Sequence, residues 1–147
     1  MRIIVTGLLA FVLFASQGCV LLGLAVYEYT GLNFTNVVAP YTTADRVTGR
    51  LTVPELNPNL TFAGIEADVV SYVFNDGHQE LNNSNSTVVQ IKVSTDANGD
   101  IVDARVFVND ASGNIQLVRT TTDFDTGIDN LGPFGANTGA GTWARTQ

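Results

Sequence analysis

Thr87-Val88-Val89-Gln90-Ile91-Lys92-Val93-Ser94 passes through Thr95-Asp96-Ala97-Asn98-Gly99-Asp100 into Ile101-Val102-Asp103-Ala104-Arg105-Val106-Phe107-Val108-Asn109. A second turn, Asp110-Ala111-Ser112-Gly113, leads on to Asn114-Ile115-Gln116-Leu117-Val118-Arg119 and Thr120 to Thr122. Val89, Ile91 and Val93 alternate with Gln90, Lys92 and Ser94; Val102, Ala104, Val106 and Val108 alternate with Asp103, Arg105 and Asn109. Period two is the mark of strands with one buried face. Both turns end in Gly, where a type I turn followed by a left-handed residue needs an unhindered backbone. The stretch 87–122 therefore reads as a three-stranded antiparallel meander.

Working outward, Val47, Leu51 and Val53 share one face with Gly49, while Arg46, Thr48, Arg50 and Thr52 share the other. A Gly on the inward face of a strand predicts a bulge or a close backbone approach. Val70, Tyr72 and Phe74 share a face ahead of Asp76-Gly77, a hairpin signal that starts the returning strand at His78. Tyr27 to Gly31 reads as the first strand, 32–44 as a loop, and 57–67 as either a short helical turn or a poorly patterned strand. Past Thr122 the chain turns to Gly, Asn, Asp and Thr, with Phe124, Ile128, Leu131, Phe134 and Trp143 as anchors. About seven strands separated by turns predict an all-β fold, a single antiparallel sandwich or irregular barrel built around the meander.

The N-terminus carries the most specific functional signal. Met1-Arg2 is a short basic start, and Ile3 to Ala15 is an apolar run of the length of a signal-peptide core. A signal helix over residues 1–25 is expected, followed by a β-domain over 26–122 and a segment, 123–147, that packs on the domain or trails from it. Gly23 and Ala25 place small residues three and one before Val26, so cleavage falls between Ala25 and Val26. Two alternatives stand: lipid modification of Cys19 after Ser16-Gln17-Gly18, a departure from the usual lipobox, or an uncleaved anchor, since residues 3–26 are long enough to cross a bilayer.

Composition narrows the partners. The chain has 147 residues, enough for one domain, and 14 acidic against 7 basic residues give a net charge of -7. No basic stripe offers phosphates a site, which argues against nucleic acid. Cys19 is the single cysteine, so the folded part has no disulfide and no thiolate metal site.

Tyr27-Glu28-Tyr29-Thr30-Gly31-Leu32-Asn33-Phe34, Tyr41-Thr42-Thr43-Ala44-Asp45-Arg46-Val47-Thr48-Gly49, Phe74-Asn75-Asp76-Gly77, Ser94-Thr95-Asp96-Ala97-Asn98-Gly99 and Gly139-Ala140-Gly141-Thr142-Trp143 follow in that order. In this the chain resembles the exported domains of bacterial proteins that carry a C-terminal PEP-CTERM sorting signal. The resemblance spans nearly all of the chain after the leader and implies a secreted or envelope-associated β-domain, with no general biochemical activity attached. The last residues contain no Pro-Glu-Pro motif and no basic end, so sorting by an exosortase is not expected here.

Candidates for chemistry are few. His78 is the only histidine and follows a turn, where an exposed hairpin residue is the ordinary reading. No serine sits in a Gly-x-Ser-x-Gly elbow, and no spacing singles out a carboxylate pair. Asp96-Ala97-Asn98-Gly99-Asp100 opens like a calcium loop, but Ile101 stands where the EF-hand glycine belongs. Asp123, Asp125 and Asp129 around Gly127 are the stronger calcium candidates, set against the reading of a solvated acidic loop. Tyr27, Tyr29, Tyr41 and Trp143 form either an aromatic platform for sugars or core and edge packing. The expected function is a non-enzymatic structural or adhesive module of the bacterial envelope or extracellular matrix, whose partners are envelope or matrix components or other copies of itself. The alternative is a calcium-dependent, glycan-binding module.

Overall fold

The structure, a computed structural model, describes residues 23–111, 113–118, 124–129 and 132–147. The expected signal helix and Cys19 lie outside these residues. Among the described residues there are two antiparallel sheets. The first has the strand order β12 (Thr142–Arg145), β1 (Leu24–Asn33), β3 (Arg46–Pro54), β5 (Ser71–Asn75), β6 (Glu80–Asn82). The second runs β2 (Asn36–Val37), β11 (Phe134–Ala136), β10 (Phe124–Asp129), β9 (Gly113–Val118), β8 (Ile101–Asn109), β7 (Thr87–Thr95), β4 (Ala63–Gly64). Both sheets are open, so the architecture is a two-sheet sandwich and the barrel alternative falls away. Among the described residues no helix is long and apolar enough to cross a membrane.

The meander is β7, β8 and β9, paired in register through Ile91 with Val106 and Val108 with Ile115. Its first turn is built as its residues demand: Gly99 has φ +85°, and the Asp96 carboxylate accepts the backbone N–H of Asn98 at 2.8 Å and of Asp100 at 3.0 Å. These amides, Asn98 first, hold the Asp96 carboxyl below its ordinary range. Gly113 meets a different need, because a Cβ there would overlap the carbonyl oxygen of Ile128 on β10.

The alternation in β3 also holds. Val47, Leu51 and Val53 are fully buried, and Gly49 shows why its side chain is missing: a Cβ would run into the ring of Phe74 on β5. Of the two expectations for Gly49, close approach is the one realised, and the β1–β3 irregularity lies between Thr30 and Asn33 instead. One row across the first sheet, Trp143, Tyr29, Gly49, Phe74 and Leu81, is thereby joined over the glycine. Trp143 lies 5.0 Å from the Tyr29 ring and 6.5 Å from that of Phe74. Tyr27, Leu51 and Phe74 meet Ile91, Val106 and Ile115 of the second sheet in one core.

Two expectations about element limits change. The first strand starts at Leu24, since Ala25 is itself fully buried and pairs with Val53. The return strand after Asp76-Gly77 starts at Glu80, two residues late, because Asp76 captures the N–H groups of His78 and Gln79. Residues 57–67 hold both readings in part, as the short strand β4 and the 3-10 turn Glu66–Asp68. The loop before β4 is docked on the outermost long strand, β7: Leu60 N–H donates to Thr95 Oγ1 and Phe62 N–H to Ser94 Oγ. Covering that strand and keeping β2 and β4 to 2 residues each limits the free backbone at the edges.

Candidate functional site

Asp125 is in the middle of β10, not in a loop, and 1% exposed. Its carboxylate crosses to the first sheet, where Tyr29 Oη donates to Oδ1 at 2.7 Å, while Asn137 Nδ2, just past β11 of the same sheet as Asp125, approaches Oδ2 at 3.3 Å. Asn137 also donates to the Leu32 carbonyl at 2.9 Å and accepts the Asp125 N–H at 3.2 Å. Gly141 N–H donates to the Tyr29 hydroxyl at 3.0 Å. Burial pushes the Asp125 carboxyl up to about 6, against the opposing pull of the Tyr29 and Asn137 hydrogen bonds. Room for it exists because the facing residue on β1 is Gly31, whose Cβ would overlap Asp125 Oδ2.

Asp76 is a second carboxylate of this kind. Fully buried, it accepts Tyr41 Oη at 2.8 Å and Gln79 Nε2 at 2.8 Å and rests against Gly127 of β10, where a Cβ would overlap its Oδ2. Gln79 Nε2 reaches the second sheet as well, at the carbonyls of Asn114 and Ile128. Asp125 thus ties the two sheets through the Tyr29 hydroxyl and the Gly31 gap, and Asp76 does so through the Gln79 amide and the Gly127 gap.

Of the three calcium candidates, Asp125 is the one whose side chain is described. Residues 124–129 form a strand in place of the predicted acidic loop, and both oxygens of Asp125 already accept hydrogen bonds. Asp123 and the side chain of Asp129 lie outside the described residues, among which no three His, Cys, Asp or Glu side chains gather to hold a metal. The aromatic platform is likewise replaced by packing: Tyr27, Tyr29 and Tyr41 are buried, and Trp143 covers Tyr29 at the sheet edge. His78 is an exposed turn residue, 4.6 Å from the Tyr41 ring and 3.5 Å from Asp45 Oδ2. Ala25 and Val26 lie within β1.

One surface feature with the shape of a site is a groove of about 320 Å³ on the outer face of the five-stranded sheet. One wall is the row Glu28, Arg50, Val73; the other is Thr30, Thr48, Asn75, Glu80, each row set by strand register. Tyr29 and Gly49 lie between the rows and complete the lining. Arg50 Nε and Glu28 Oε1 are 3.9 Å apart, both half exposed, so the pair adds little stability and mainly sets two opposite charges on one wall. Asn75 Oδ1 is occupied by the Gly77 N–H at 2.7 Å. The polar face of β3 was visible in the alternation of Arg46, Thr48, Arg50 and Thr52. The contributions of Glu28, Thr30, Asn75 and Glu80 depend on which strands flank β3, and no residue pattern signals that.

A scan against protein-family models finds no match, and searches of curated proteins and of solved structures return no significant similarity.

Proposed function

We propose that the chain is an exported, non-enzymatic β-module of the bacterial envelope or extracellular matrix, of the kind its resemblance to PEP-CTERM-associated domains suggests, and that its role is adhesive. The observation that carries this reading is the position of β1. The first strand begins at Leu24, directly behind the apolar leader, and the Gly23 carbonyl already accepts the Glu55 N–H at 3.0 Å. Residues 1–22 are thus followed directly by a strand of the sandwich, which suits a segment used for export or anchoring ahead of a compact domain. The other end closes beside it, where Val26 N–H donates to the Gln147 carbonyl and Arg145 pairs with Glu55 at 2.8 Å. Both buried acids, Asp76 and Asp125, are structural in geometry, which supports a scaffold that presents a surface.

The test is to express the full chain in a bacterium and follow it through cytoplasm, envelope, medium and salt-washed matrix. Recovery from envelope or matrix, lost when Ile3 to Ala15 are deleted, supports the reading. Recovery only from the cytoplasm overturns it.

A further inference from the structure

We infer that the groove on the outer face of the five-stranded sheet binds an uncharged saccharide chain, an assignment that gives the adhesive reading above its ligand class. The groove runs across the strands from β1 through β3 and β5 to β6. Three inter-strand spacings make it about 14 Å long, the length of a short oligosaccharide and too long for a single ion. Its walls stand on paired strands, so they hold their shape before a ligand arrives.

The chemistry of the walls matches hydroxyl groups, which both donate and accept. Thr30 and Thr48 present hydroxyls of the same dual character, Arg50 donates, and Glu28 and Glu80 accept. Val73 is the apolar side chain in the wall, suited to the C–H face of a sugar ring. Charge decides against anionic ligands. Arg50 is offset by Glu28, which leaves Glu80 to disfavour anionic ligands, and two carboxylates beside one guanidinium give an acidic polymer no foothold. An apolar ligand would leave the polar walls unpaired.

The exported chain is titrated by calorimetry with neutral tetrasaccharides of β-linked glucose, xylose and N-acetylglucosamine, beside a lysine tetrapeptide as the cationic control. Saturable binding of at least one neutral saccharide is expected, weakened at least tenfold by Thr48→Arg, which fills the groove from an exposed position, and by Arg50→Ala. Both variants are expected to melt as the parent does. Failure of all three saccharides, binding of the lysine peptide alone, or saccharide binding that Thr48→Arg leaves unchanged would each overturn the assignment. Export is read separately by fractionation: a chain found outside the cell that binds no saccharide ends this inference alone, and a cytoplasmic chain that binds one ends the adhesive reading alone.

Discussion

The hydroxyl of Tyr29 donates to the carboxylate of Asp125 from the opposite sheet, at 2.7 Å and out of reach of solvent. This pair is costly to disturb, because a buried carboxylate that loses a donor keeps its desolvation penalty. Tyr29→Phe is therefore expected to destabilise the chain by about 2 kcal/mol, seen as a lower urea midpoint with unchanged slope, and to raise the Asp125 pKa beyond about 6. An unaltered midpoint would show that the bond contributes nothing net.

Stability should also depend on pH in a specific direction. The folded chain holds the Asp125 proton up to about 6, against 3.8 for an ordinary Asp, a difference worth roughly 3 kcal/mol. A native carboxyl that binds its proton more tightly than the unfolded one stabilises the fold when protonated. Its contribution is complete below the unfolded value and is lost as pH rises through about 6. Asp45 and Asp96 act in the opposite sense. The Thr42 amide and the Asn98 and Asp100 amides hold them below the ordinary carboxylate range, so their contributions are lost as pH falls through the folded values. Urea midpoints between pH 3 and 8 are expected to peak at about pH 4 and to fall from there to about pH 6, a decline that Asp125→Asn should flatten. A midpoint that rises steadily to pH 8 would contradict this.

Gly49 tests the aromatic row. Ala at this position puts its Cβ into the Phe74 ring and is expected to cost about 1–3 kcal/mol. Phe74→Leu in the same chain should recover part of that loss, which separates overlap with the ring from a general effect on strand β3. Thermal melts of the two single variants and the double variant give the answer.

The start of β1 makes a fourth prediction. A chain beginning at Val26 lacks Ala25, which is fully buried opposite Val53, and the Gly23 carbonyl that receives the Glu55 N–H. It should melt a few degrees below one beginning at Gly23, the shift that about 1 kcal/mol produces in a domain of this size. Equal melts would mean that these residues add nothing to the sheet.

How far the sequence could be read follows from where the physics was local. Strict alternation and Asp-x-Asn-Gly chemistry decided the meander, and Gly49 announced a close approach that Phe74 fills. Asp125 misled because its spacing from Asp123 and Asp129 is that of a solvated loop. The residues that turn it into a sheet-bridging group, Tyr29 and Gly31, lie almost a hundred positions upstream, and their pairing is a product of topology. For the groove, Thr48 and Arg50 were legible as an outward face, whereas Glu28 and Glu80 joined it only through the order β1, β3, β5, β6. Cross-sheet and cross-strand neighbours of this kind leave no periodic trace in one chain.

The most direct test of the central claim, export of this sandwich, is the intact mass of the protein recovered from outside the cytoplasm after expression of the full chain. The account predicts a species shortened by the leader, beginning at Val26 or at an acylated Cys19. A full-length chain starting at Met1 and confined to the cytoplasm would contradict it.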